Sequence, residues 1–221
     1  MADLGVYVVN LASRPDRWEH AVAQCRREGL EPVRVPGVQG SQLSLEQVAE
    51  WQQTVDGNIG PGRMKPGQAA AKLGLQFAHI DAVDTALAGG HRLALLFEDD
   101  VVLAEGFLPL LASRLPHVPT GWRLVTLGSV HHKKPSKVGR GVYRVRRCSY
   151  AHALLANREG LVALRRLLSR MDAPIDVGWR ELADAGVFYA LHPPLAVQRE
   201  DFSDISGRRT DPFSEGRDMG V

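Results

Sequence analysis

The chain is short of several things, and each shortage removes a class of protein. It has two cysteines in 221 residues, Cys25 and Cys148, too few for a disulfide framework or a cysteine-rich zinc site. A reducing compartment is the simpler expectation. No stretch approaches the roughly 18 apolar residues of a membrane helix, and Leu93–Phe97 has the length of a strand. The opening MADLGVYVVNLASRPDRW has neither a basic leader nor a long apolar run, so no secretory signal is expected and the protein is read as cytoplasmic. There is no G-x-S-x-G, no Walker loop and no C-x-x-C, which removes the usual support for serine hydrolases, P-loop NTPases and thioredoxins.

Acid is also missing, but only locally. Residues 106–158 contain none, yet hold ten lysines and arginines, against a chain total of 27 basic and 25 acidic. The remainder therefore carries about −8, so the molecule is polarised, with a positive segment suited to an anionic partner. Its solvated-face alternative stands beside that reading. Aromatics are sparse there, with Tyr143 alone before Tyr150, which is thin for stacking nucleic-acid bases.

What is present alternates strand and helix. Val6–Val9 reads as a strand, followed by a turn in which Ser13 caps a helix opening at Pro15 and closing at Gly29. Pro32–Val35 is a second strand. Ser44 and Gln47 form a capping box for a helix to about Gln53, and residues 56–67, rich in Gly and Pro, read as a loop. A long helix, Gln68–Leu87, leads to the strand Arg92–Phe97. Next come a helix near 105–114, a strand Trp122–Leu127, a basic loop 129–141 and strands at Tyr143–Arg147 and Ala151–Ala156. An amphipathic helix at Asn157–Arg170 and a strand at Val187–Leu191 complete the pattern. This predicts one α/β domain over residues 1–198, three layers around a mostly parallel sheet, then a charged tail over 199–221.

The strongest chemical signal is Glu98-Asp99-Asp100 behind a buried strand. Adjacent carboxylates repel, and a divalent cation would compensate them, oxygen donors suiting Mg²⁺ or Mn²⁺. Ligands of open α/β sheets sit at the carboxyl ends of strands, where this triplet falls. Asn10, Arg14 and Arg17 follow the first strand similarly and offer a diphosphate seat. Asp176, after Pro174-Ile175, is a candidate general base. His79 and His192 are candidate metal ligands, while adjacent His131 and His132 diverge on a strand and make no chelate.

In order, these pieces resemble glycosyltransferase family 25, which includes lipooligosaccharide galactosyl- and glucosyltransferases and collagen galactosyltransferases. The resemblance runs from Val6 to Ile205. It rests on Val6–Arg17, Phe97–Val101, Pro174–Asp176, Pro193–Gln198 and Ser203–Ile205. Two blocks depart: Ala71–His79 keeps only Gly74 and His79 of the family's G-E-x-G-C-x-x-S-H, and Leu154 stands where the family has Tyr.

The resemblance implies a GT-A-like three-layer sandwich and inverting transfer of a hexose from a UDP-sugar, UDP-galactose or UDP-glucose, with Mn²⁺ or Mg²⁺. It places Asp100, Glu98 and His192 at the metal. Asn10, Leu11, Arg14, Arg17, His79, Glu98 and Asp99 would contact the donor, with Asp176 as the base. Separately from the resemblance, if the basic segment lines the acceptor side, its Lys133, Lys134 and Lys137 would meet an anionic acceptor, a glycolipid core (as in lipopolysaccharide biosynthesis) or a hydroxylated DNA base. The competing readings are a non-catalytic protein binding nucleic acid or another polyanion through 131–147, and a glycosidase with two flanking carboxylates.

Overall fold

The computed structural model describes residues 3–61 and 67–199, with two short strands at Phe202–Ser203 and Arg208–Arg209 in the tail. Asp204 and Ile205 of the last matching block, and most of the charged tail, lie outside the described residues, as do residues 62–66 of the Gly/Pro-rich loop.

The organising elements are two parallel neighbours, β1 (Leu4–Asn10) and β3 (Leu93–Glu98), paired from Leu4↔Leu93 to Val9↔Glu98. Both are buried on both faces, which explains their unbroken apolar runs. Alternate side chains enter different cores: Tyr7, Val9 and Leu96 join one, Val6, Val8, Leu95 and Phe97 the other. The first core is closed by α3 (Ala69–Gly89) and α5 (Arg158–Ser169), the second by α1 (Pro15–Arg27) and α4 (Phe107–Arg114). The result is helix, sheet, helix in three layers.

The remaining elements, in chain order, are β2 (Val33–Pro36), α2 (Leu45–Ile59), β4 (Val101–Leu103), β5 (Leu124–Thr126), β6 (Val130–Lys133), β7 (Ser136–Gly139), β8 (Val142–Arg144), β9 (Arg147–Ser149), β10 (Ala153–Asn157), α6 (Ile175–Gly178), α7 (Arg180–Asp184), β11 (Phe188–Leu191) and β12 (Ala196–Gln198). The main sheet has eight strands in the order β2-β1-β3-β10-β5-β11-β8-β7. Six share one direction, and β8 and β10 oppose them. The expected α/β architecture with a mostly parallel central sheet is the one observed.

Several boundaries differ from the sequence reading, each for a physical reason. The capping box at Ser44 forms, both bonds at 3.1 Å, but α2 continues past Gln53 to Ile59. Trp51 and Val55, one turn apart, are buried with Ala69 and Leu73 of α3. That packing outweighs the roughly 1 kcal/mol that Gly57 costs a helix. Ser13 does not cap α1; Arg14 holds that position, and its side chain bonds Asp16 rather than capping the helix. Instead Asn10 Nδ2 donates to Arg14 O at 2.9 Å, so strand β1 itself holds the helix entrance. The basic segment 129–141 is not a loop: β6 pairs with β9, and β7 with β8.

Candidate functional site

The chain leaves β1 through α1 to reach β2 on one side, then returns through α2 and α3 to β3 on the other. The carboxyl ends of β1 and β3 thus flank a topological switch, where open α/β sheets place their ligands. A cleft of about 780 Å³ opens there. Its floor is Val9 and Glu98-Asp99-Asp100; its walls come from Leu11–Arg17, Gly37–Ser41, the start of α3, Ser149–Ala151 and Pro174–Asp176.

The two strand ends are stitched together at the floor. Asn10 Nδ2 donates to Asp99 Oδ2 at 2.6 Å, and Arg17 lies 3.3 Å from Asp99 Oδ1. Arg34 donates in turn to Asn10 Oδ1. Burial raises the Asp99 carboxyl above its ordinary range, and these partners oppose the rise. Asp100 has less help. Gln198 Nε2 stands 3.4 Å from its Oδ2, while its Oδ1 is buried without a hydrogen-bond partner. Burial and the neighbouring Asp99 push Asp100 up to about 6. Burial, with Asp100 and Asp99 beside it, holds Glu98 well above the ordinary carboxylate range. An acidic floor short of compensating charge is chemically unfinished, and a hard cation or a proton would complete it.

The structure brings Leu11, Arg14, Arg17, Glu98, Asp99, Asp100 and Asp176 to one cleft. Asn10 and His79 serve from behind. His79 is buried, takes a bond with Leu75 O at 3.0 Å and sits 3.8 Å from Glu98 Oε1. Burial lowers its pKa, which keeps the ring neutral.

His192 does not join the acids. It follows β11 and lines a separate cavity of about 20 Å³ with His131 and His152, its ring edge-on to Tyr143. Lys133, Lys134 and Lys137 are exposed on β6, β7 and their connection, and none lines the cleft. As expected, His131 and His132 diverge, the first buried beside Ser129 and the second exposed beside Ser149. Among the described residues, no three His, Cys, Asp or Glu side chains are grouped so as to hold a metal by themselves.

No family model matches the chain, and no curated protein matches it in sequence. Several solved structures are distantly similar, each with a TM-score below 0.5. A197 from STIV is 14% identical, with 94% of this chain and 92% of that one covered and a TM-score of 0.48. Mouse xyloside xylosyltransferase 1 is 9% identical over 86% and 85% of the two chains, with a TM-score of 0.47. The glycosyltransferase GlyE of Streptococcus pneumoniae is 13% identical over 85% of this chain but 44% of its own, at 0.46.

Three features of the site escaped the sequence reading. Gln198 reaches Asp100 because β12 pairs with β4, setting Gln198 opposite Val101. Lys72 lines the cleft from α3. The wall at Gly37–Ser41 leans on α3 so closely that a Cβ on Gly74 would stand 2.3 Å from Val38 O, and one on Gly40 2.6 Å from Ala70 C. Gly74 is thus a packing requirement that shapes the cleft.

Proposed function

We propose that this chain is a cation-dependent, inverting glycosyltransferase of the family 25 type, moving galactose or glucose from its UDP derivative to a sugar hydroxyl. The observation that carries the reading is the triplet Glu98-Asp99-Asp100, half-finished electrostatically, at the floor of a large cleft beside two arginines. The donor set suits Mn²⁺ or Mg²⁺: it is all carboxylate oxygen, and Asp100 Oδ1 is a buried acceptor still lacking a partner. Such ions commonly take one or two carboxylates and complete their shell with phosphate oxygens and water. That matches a site lacking three clustered ligands. Asp100 and Glu98 would hold the ion, which when bound would neutralise charge on the departing diphosphate.

The chain's own residues supply the rest. Arg17, anchored to Asp99, and Arg14 line the wall beside β1 and would bind diphosphate oxygens at the start of α1. Asp176 borders the same space and would accept the proton of the attacking hydroxyl. Holding donor and acceptor in line supplies much of the remaining acceleration. Isothermal titration of UDP-galactose and UDP-glucose, each with and without Mn²⁺, tests the donor half. Binding of at least one sugar nucleotide that requires the cation supports the reading; indifference to every nucleotide refutes it.

A further inference from the structure

Among the described residues, two that are not glycine have positive φ: Met171 at 53° and Tyr150 at 75°. Bulky side chains are strained in this left-handed region, which glycine enters freely. Tyr150 is nevertheless held there from both sides. The buried Trp179 indole donates to Cys148 O at 3.4 Å, and the His132 ring meets Ser149 Oγ at 2.8 Å. On the far side, the buried His79 ring lies beside the buried Ala151. Strain that the surroundings impose, at the rim of a cleft, marks a residue whose placement matters.

Tyr150 lines the cleft and remains 39% exposed there. Its position relative to the acids is also informative. In the sheet, β10 lies on one flank of β3, and β1 and β2 lie on the other. Tyr150, three residues before β10, therefore stands across the triplet from Leu11, Arg14 and Gly37–Ser41. Asp176 shares its flank: its charge reaches Glu98 and also Cys148, two residues before Tyr150. The neighbours Ala151, Pro174 and Ile175 are apolar and buried.

We infer that Tyr150 is the stacking platform of the acceptor subsite, a fixed aromatic face against which a pyranose lays its C–H face so that a hydroxyl meets Asp176. The assignment rests on the donor reading above. An aromatic face beside apolar neighbours suits the non-polar side of a sugar ring, and a main chain already fixed beneath it loses little freedom on binding.

The test uses saturation-transfer NMR with methyl β-galactoside, methyl β-glucoside and methyl α-mannoside, UDP and Mn²⁺ being present, on wild type, Tyr150→Phe and Tyr150→Gly. Tyr150→Phe keeps the platform and should bind as wild type does. Tyr150→Gly should melt no lower than wild type, because glycine relieves the φ strain, yet lose at least tenfold in glycoside affinity with its UDP response intact. Equal glycoside affinity in Tyr150→Gly overturns the assignment. So does the absence of any glycoside signal from a wild type that still responds to UDP. No UDP response in any of the three proteins overturns the donor reading as well.

Discussion

Acid should destabilise this protein through two buried imidazoles. His152 is fully buried, and neither ring nitrogen has a hydrogen bond of good geometry, although the Ala196 main chain lies beside it. His131 is buried with its Nδ1 unpartnered. Burial pushes both down to about 4, helped at His131 by His132 and His192. In the unfolded chain each returns to about 6.5. The folded value lies below the unfolded one, so stability is full above about pH 6.5 and drains away as pH falls toward 4. At pH 5 the loss is about 2 kcal/mol for each ring.

The carboxylates on the cleft floor titrate with the opposite sign, so the clean quantity is a difference between two proteins. His152→Leu removes one titration and leaves the rest. Urea unfolding, followed by tryptophan fluorescence, gives the stability of both proteins at pH 7.5 and pH 5. The gap between them should shift by about 2 kcal/mol in favour of His152→Leu, or about 4–8 °C in melting temperature for a chain of this size. A gap that stays constant with pH would refute the claim that His152 is held neutral by burial.

Other perturbations separate the cleft from its surroundings. Neutralising Lys133, Lys134 and Lys137 to Gln should leave sugar-nucleotide affinity within about twofold, roughly 0.4 kcal/mol; a tenfold loss in the titration would return those lysines to the site. Gly74→Ala should push the Gly37–Ser41 wall off α3, costing about 1–3 kcal/mol in urea unfolding and weakening UDP binding. Ser44→Ala should cost about 1 kcal/mol in the same unfolding experiment through the lost capping box while sparing the cleft.

The parts legible in the sequence were those governed by local rules. β1 and β3 announced themselves because burial on both faces leaves unbroken apolar runs, and the Ser44 box is a four-residue pattern. The acidic triplet was visible because nothing in a strand end requires three carboxylates in a row. The parts that escaped depend on partners distant in sequence. The strands at 130–139 are basic and exposed, so they lack the alternation that marks a half-buried strand. His192 looked like a ligand by residue type, but the sheet carries it to another cavity. Gln198 becomes relevant only when β12 pairs with β4. Tyr150 carries no signature at all, because a strained φ is written by its neighbours rather than by its own side chain.

The most direct test is the melting temperature of wild type and Asp100→Ala with saturating UDP, in the presence and absence of Mn²⁺. At a hundred times its dissociation constant, a ligand that binds only the folded state adds about 2.7 kcal/mol, which is about 5–11 °C here. The account predicts that rise in wild type only when Mn²⁺ is present, and none in an Asp100→Ala protein that is otherwise folded. An equal, Mn²⁺-independent response in both proteins, or none in either, would contradict it.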